Sequence, residues 1–277
     1  MLLAIDVGNS QISFGLGEAS PSDPAAAPDA SVWHSRWRLP THLHRTSDEL
    51  SVLVAALLEL DGFAPESVDR VVMSSVVPAL SPVIRATCQR LFGSELLQVG
   101  PGVRTGLALR YEPPASLGSD RLVDAVAART RFGAPVVVVD FGTATTFNVV
   151  DGSGTFIGGA IAPGVGVAAA ALAAAGARLS RIDLTPPREP HRLPLIGRNT
   201  EQSMRAGVLY GYAGLVDGLL RRIEASLDAT GEARPTVVAT GGLAGAVAPL
   251  VGRFDHRVPD LILDGLRLIE ALNRSRE

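Results

Sequence analysis

The sequence predicts an α/β protein of two related halves, each a mixed sheet flanked by helices. Three observations predict it. Short aliphatic runs ending in Asp and Gly alternate with stretches of helical spacing along the chain. The apolar residues are mostly Ala, Val and Leu, with many glycines and few aromatics, a supply that suits close helix–sheet packing. The segment LLAIDVGNSQISFGL recurs in outline as VVVVDFGTATTFNVV: an apolar strand, Asp, an apolar residue, Gly, a hydroxyl or amide residue, then a second strand. Asp6 and Asp140 lie 134 positions apart (140 minus 6), close to half of the 277 residues. That spacing implies a duplicated half rather than a solenoid of many short repeats.

The elements follow in order. Residues 2–5 form a buried strand that breaks at Asp6 and Gly8, and residues 12–16 form its returning hairpin partner. Residues 19–30, rich in Ala, Pro, Ser and Asp without periodicity, read as a surface loop or flexible insertion. A strand over 32–39 puts Trp33 and Trp37 on one face, and Ser47 caps a helix with early acids. A strand at 70–74, a helix opened by Pro82 and a short strand at 96–99 complete the first half. The proline pair Pro113–Pro114 marks the expected boundary, giving domains 1–115 and 116–277. The second half has strands at 135–139, 146–150 and 155–159, an alanine-rich helix at 166–177 and a long helix from Asn199 to about Leu227. A strand at 236–239 and a last helix over 263–273 follow.

Composition excludes several functions. All 25 basic residues other than histidine are arginine. Without a lysine, a P-loop ATPase and a lysine Schiff base are both ruled out. A formal net charge of -3 speaks against nucleic acid or a membrane surface held by bulk charge. Cys88 alone cannot form an intrachain disulfide and reads as a buried thiol. With no signal peptide and no run of transmembrane length, a cytoplasmic location is the expectation. His34, His42 and His44 fit no zinc spacing and read as solvated loop residues; His191 and His256 are isolated. The arginines at 178, 181, 188, 192 and 198 lack interleaved aromatics, which argues against nucleic acid.

The remaining signals suit phosphoryl transfer. A carboxylate at a strand end, such as Asp6, can hold a hydrated Mg²⁺ that bridges phosphates. Gly8 permits a tight turn of backbone N–H groups, to which Asn9, Ser10 and Ser13 add polar side chains. One such motif is more often an ordinary hairpin; two copies reverse that judgement. In the second copy Thr143 is placed to bond a terminal phosphate, and Asp140 could bind a cation beside it. Two acidic strand ends flanking a triphosphate give the positioning and charge neutralisation this chemistry needs. Thr240-Gly241-Gly242, after a buried strand, would let the backbone approach an adenosine. Asp120, at a helix start, is by position a cap. A kinase acting on an alcohol also needs a carboxylate to take the hydroxyl proton, and the adjacent Arg121 can bind an acid group on the substrate.

The segment PGVRTGLALRYEPPASLGSDR resembles the pantothenate-recognition stretch of type III pantothenate kinases, which runs P-G-x-x-T-G-L, Y-x-x-P, then G-A-D-R. DVGNS is similar to the family's first phosphate motif, and DFGTATTFNVV, GGAIAPG and GRNTEQSMRAGVLYG follow in the family's order, so the resemblance spans nearly the whole chain. It implies duplicated ribonuclease H-like domains of the actin-like ATPase kind, with a cleft between them. It implies Asp120 as general base for the pantothenate hydroxyl, with Tyr111, Gly118, Ser119, Arg121 and Thr200 lining the pantothenate pocket. Asp6, Val7, Gly8, Asn9, Ser10, Gln11, Ile12 and Ser13, together with Thr143, would hold ATP. Asp140 would ligate a monovalent cation, K⁺ or NH₄⁺, while Mg²⁺ accompanies the nucleotide, reached by Asp6 through water. A homodimer with Thr200 near its interface is implied too. Ser119 stands where the family usually has Ala, Ser10 where it has Thr, and Asp124 where it has Asn. Two other readings stay open on the sequence. A sugar or small-alcohol kinase of the same superfamily would offer Arg121 no carboxylate. A non-catalytic accessory regulator of transcription could keep the fold and bind nucleotide or a partner protein; retention of Asp6, Asp120, Asp140 and Thr143 speaks against a decayed site.

Overall fold

In the computed structural model, residues 1–19, 33–176, 179–185 and 193–274 are described. The loop expected at 19–30 therefore falls almost wholly outside them, as do His191 and the arginines at 178, 188 and 192. The first sheet grows from β1 (Leu2–Val7), whose apolar side chains are almost all buried. The carboxylate and glycines after it cannot extend an apolar strand, so the chain turns. It returns antiparallel as β2 (Gln11–Gly17) with Asp6 opposite Ser13. β3 (Trp33–Pro40) continues the meander, and its alternating burial puts Trp33, Ser35 and Trp37 on one face. His34 is thus an exposed strand residue rather than part of a loop, 3.2 Å from Glu18. On the other side of β1 come the parallel strands β4 (Arg70–Ser75) and β5 (Leu96–Gln98), giving the order β3-β2-β1-β4-β5.

Helices α1 (Ser47–Leu60) and α2 (Ser81–Phe92) cover one face of this sheet, burying Leu50, Val54, Leu58 and Ile84 against Leu3, Ile5, Val7 and Phe14. The α1 cap is Thr46, not Ser47: its side chain accepts the Glu49 N–H at 3.2 Å, and Asp48 and Glu49 complement the helix dipole. Cys88 is buried in the same cluster, and burial pushes its thiol up to about 12, so it is inert as a nucleophile. A two-residue strand, β6 (Ala108–Leu109), precedes α3 (Ser119–Phe132). The last helix, α7 (Leu261–Asn273), crosses α3 at Gly265, where a Cβ would lie 2.3 Å from the Val123 carbonyl oxygen. Its Asp264 accepts the Trp33 indole N–H at 2.8 Å, which ties α7 to β3.

The second sheet repeats the first. β7 (Val136–Phe141), β8 (Ala144–Val150) and β9 (Thr155–Pro163) form the meander; β10 (Thr236–Thr240) and β11 (His256–Arg257) run parallel to β7 in the order β11-β10-β7-β8-β9. All four valines of β7 are fully buried. At roughly 1.5 kcal/mol or more each, their burial makes β7 a strong anchor for its unit. Helices α4 (Val165–Ala175), α5 (Thr200–Asp228) and α6 (Ala244–Val251) contribute to its core, α5 through Leu209, Tyr212, Val216 and Leu220. The duplication is unequal at one point. The β1–β2 turn holds three residues, 8–10, whereas the β7–β8 turn holds two, 142–143.

These elements form two compact units, Met1–Arg131 with Ile262–Glu277, and Phe132–Leu261. The proline pair lies inside the first unit, not at its edge. The reason is packing: α3 is bonded to β4 and crosses α7, so both helices belong with the first sheet. Among the described residues no helix is long and apolar enough to cross a membrane.

Candidate active site

In the first unit, the end of β1 places Asp6 between Ser13 of β2 and Ser74 of β4. The turn beyond it is tight: the Gly8 N–H donates to the Gln11 carbonyl at 3.0 Å, and a Cβ on Gly8 would sit 3.1 Å from that oxygen. Thr41, just past β3, braces the turn. Its hydroxyl donates to the Gly8 carbonyl at 2.7 Å and its N–H to the Ser10 carbonyl at 3.0 Å. Asn9, Ser10 and Gln11 are exposed, and Asp6 and Ser13 are half-buried. Val7 and Ile12 point into the core, so they can reach a ligand only through their backbone.

The α3 N-terminus lies against the same strand ends. The Ser119 hydroxyl is 2.9 Å from that of Ser74, which is itself level with Asp6 across the β1–β4 pair. The Asp120 carboxylate folds back on its own helix and accepts the Arg121 N–H at 2.7 Å. Gly118 makes this possible, because a Cβ there would lie 2.4 Å from Asp120 Oδ1. Burial pushes the Asp120 carboxyl above the ordinary carboxylate range, offset in part by the Arg121 N–H and the Arg121 charge. Arg121 is buried, with its guanidinium 3.3 Å from the Tyr111 hydroxyl and 5.7 Å from that ring's centre. Asp6, Gly118, Ser119, Asp120, Arg121 and Tyr111 thus belong to one unit, linked from strand end to helix start by strand pairing and hydrogen bonds. Asp124, one turn further along α3, is buried.

In the second unit, Asp140 sits between Thr146 of β8 and Thr240 of β10. Backbone closes on both of its oxygens. A Cβ at Gly241 would lie 2.2 Å from Oδ1, and one at Gly142 would lie 3.2 Å from Oδ2. Gly241 has φ +91, a left-handed conformation that favours glycine. This glycine makes room for the Asp140 carboxylate. Thr143 is exposed at the β7–β8 turn, where the Gly164 N–H donates to its carbonyl at 3.0 Å. Thr200 is exposed in the first turn of α5, behind Asn199, whose side chain caps the helix by accepting the Gln202 N–H at 2.9 Å.

Sequence reasoning overlooked Ser74, Ser75 and Thr41. The first two carried a signal: RVVMSS is an apolar strand ending in polar residues, the same grammar as the Asp6 and Asp140 strands. Among the described residues no three His, Cys, Asp or Glu side chains gather as a metal centre. Single carboxylates among hydroxyl and carbonyl oxygens are donor sets for hard cations, not for zinc.

A sheet order repeated in two units, with an acidic strand end and a glycine turn at the same place in each, is the duplicated actin-like fold. Solved structures agree on that fold. A Campylobacter jejuni protein described as a Baf family transcriptional activator aligns with TM-score 0.55 at 19% identity, covering 98% of both chains. Component A of the Acidaminococcus fermentans (R)-2-hydroxyglutaryl-CoA dehydratase aligns with TM-score 0.54 at 14% identity, over 98% of this chain and 96% of its own. The chain belongs to the type III pantothenate kinase family, whose profile matches residues 2–222. The type III pantothenate kinase of Brevibacillus brevis is 44% identical over 99% of this chain and 100% of its own length. That of Roseiflexus castenholzii is 43% identical with the same coverage.

Proposed function

We propose that the protein transfers the γ-phosphoryl group of ATP to the primary hydroxyl of pantothenate, the first committed step towards coenzyme A. The observation that carries this reading is the Asp120–Arg121–Tyr111 group on α3 and the segment before it. It supplies a carboxylate for a hydroxyl proton and, next to it, a buried guanidinium that suits a substrate carboxylate. Pantothenate carries both groups; a neutral sugar has only the first. The transcriptional-activator likeness, at 19% identity, supports the fold alone.

In this mechanism Asp120 accepts the proton as the hydroxyl attacks. Arg121 and Tyr111 hold the acid end of pantothenate beside the backbone of Gly118 and Ser119, and Thr200, in the second unit, keeps the pantothenate-binding role that the family resemblance gives it. In the first unit the β1–β2 turn from Asp6 to Ser13 offers N–H and hydroxyl donors suited to phosphates, and in the second unit the exposed Thr143 hydroxyl is a donor of the same kind. Mg²⁺ carried with ATP supplies charge neutralisation, and the half-buried Asp6 carboxylate, flanked by Ser13 and Ser74, fits it through water. Asp140, hemmed by backbone, fits a monovalent cation such as K⁺ or NH₄⁺. A cytoplasmic location goes with this reading, since ATP is consumed there.

We also propose a homodimer. Helix α4 has no charged residue yet exposes Val167 and Leu172, and Leu195 and Ile196 stand open ahead of α5. Such a surface asks for a cover, and a second copy near Thr200 supplies it. Sedimentation at micromolar concentration as a monomer would remove this assignment.

The test of function is a coupled ADP-release assay. Pantothenate should give turnover and a panel of sugars none; the reverse pattern overturns the reading. In the same assay K⁺ or NH₄⁺ should raise the rate at least about tenfold over Na⁺, the size expected where a fixed cation offsets transition-state charge. Equal rates in all three salts would take Asp140 out of its cation role.

A further inference from the structure

We propose that the Ser119 hydroxyl is a positioning group for the base and not a contact to substrate. The inference rests on Asp120 being the base. A serine hydroxyl offers one donor and two acceptor sites, and at Ser119 protein partners fill all three. It donates to the Ser75 carbonyl at 3.2 Å and accepts the Ser75 N–H at 3.1 Å. With its own proton so placed, it accepts from the Ser74 hydroxyl at 2.9 Å. No bonding capacity is left for pantothenate.

The three bonds run from the first turn of α3 to the end of β4. Ser74 is fully buried and level with Asp6 on the neighbouring strand. The hydroxyl pair therefore pins the helix that carries Asp120 to the strand next to the one that carries Asp6. It sits one residue before the base, where a small shift of the helix start moves the carboxylate directly. Ser75 is itself braced, since its hydroxyl donates to the Val77 carbonyl at 3.3 Å and accepts from the Ser81 hydroxyl at 3.2 Å. The anchor is thus a fixed strand end rather than a mobile loop. Gly118 and Ser119 have complementary roles: the glycine leaves space for the Asp120 carboxylate, and the serine fixes the turn from which it projects. Reactions limited by the alignment of a base are sensitive to such anchoring even when substrate affinity is not.

The experiment compares Ser119→Ala, Ser74→Ala, the double variant and Ser119→Thr, measuring kcat and the KM for pantothenate. Ser119→Ala should lower kcat about five- to tenfold with KM unchanged, the signature of lost alignment. Ser74→Ala, which removes one of the three bonds, should lower kcat by less, again with KM unchanged. The double variant should be no slower than Ser119→Ala alone, because that substitution already removes all three bonds, the one to Ser74 included. Ser119→Thr, which keeps Oγ, should recover most of the rate. A raised KM with kcat intact in Ser119→Ala would make the hydroxyl a substrate contact and overturn the proposal, as would additive losses or unchanged kinetics. If Ser119→Ala does not fold, Ser74→Ala removes one of the three bonds and decides by its kinetics: a lower kcat with KM unchanged supports the proposal, and unchanged kinetics overturn it. Asp120→Asn is run alongside: a variant that keeps its rate there rejects the base assignment, whatever Ser119 does.

Discussion

Replacing Asp120 with asparagine should lower kcat by about a thousandfold and leave ATP binding nearly unchanged, the scale expected for loss of a positioned general base. The amide matches the carboxylate in size, can still accept the Arg121 N–H, and keeps the room that Gly118 provides. What it loses is the ability to take a proton. The phosphate turn from Asp6 to Ser13 is braced by Thr41 rather than by α3, so nucleotide affinity should persist. The pH dependence gives an independent check. Asp120 works only when ionised, so the rate should climb with pH through its pKa and then level off. Burial raises that pKa, which puts the acid limb above the ordinary aspartate value of about 3.9. The sign for stability is the opposite. A carboxyl with a raised folded pKa favours the folded state below its unfolded pKa, and that contribution is lost as pH rises through the folded value. At neutral pH Asp120→Asn should therefore be at least as stable as the parent. A variant that kept near-normal turnover, or that lost activity only because it unfolded, would contradict the assignment.

Gly241→Ala should have the largest effect on stability, about 3 kcal/mol or more. Two costs combine. The left-handed backbone at φ +91 penalises any Cβ by about 1–2 kcal/mol. The added atom would also stand 2.2 Å from Asp140 Oδ1 and 2.6 Å from the Phe141 nitrogen, and backbone in the middle of a sheet cannot yield cheaply. Gly242→Ala is the matched control, since a Cβ there would meet nothing within 4 Å and its φ is not positive. Urea midpoints should separate the two variants clearly. Any Gly241→Ala protein that folds should also lose its response to K⁺, because the Asp140 carboxylate must move. Equal midpoints for the two substitutions would show that the β10–α6 turn adjusts freely.

Much of this was legible in the sequence because its signals are local. Four consecutive valines closed by Asp140 and Gly142 can hardly be anything but a buried strand and its turn. Asn199 before a long amphipathic run marks the start of α5 as plainly. Helix α6, alanine-rich and carrying Pro249, offered no comparable stripe and went unnamed. The contacts that build the site are not local. Ser119 meets Ser74 across 45 positions, and neither residue has a neighbour that signals the other. The return of α7 to the first sheet is marked by contacts as distant as the Trp33–Asp264 bond across 231 positions. A boundary drawn along the chain therefore fell at a proline pair, while packing divides the protein elsewhere. The purpose of Gly241 was half legible. A glycine after a buried strand announces a close approach but does not say of what.

Both tryptophans of the chain, Trp33 and Trp37, lie on β3 in the first unit, and none lies in the second. Their indole N–H groups bond to Asp264 and Asp61 within that same unit. Fluorescence excited at the red edge therefore watches one half of the duplication only, whereas far-ultraviolet dichroism watches both. The protein carries its own one-sided reporter, and superposition of the two melting curves would show directly whether the twin halves come apart as one cooperative body.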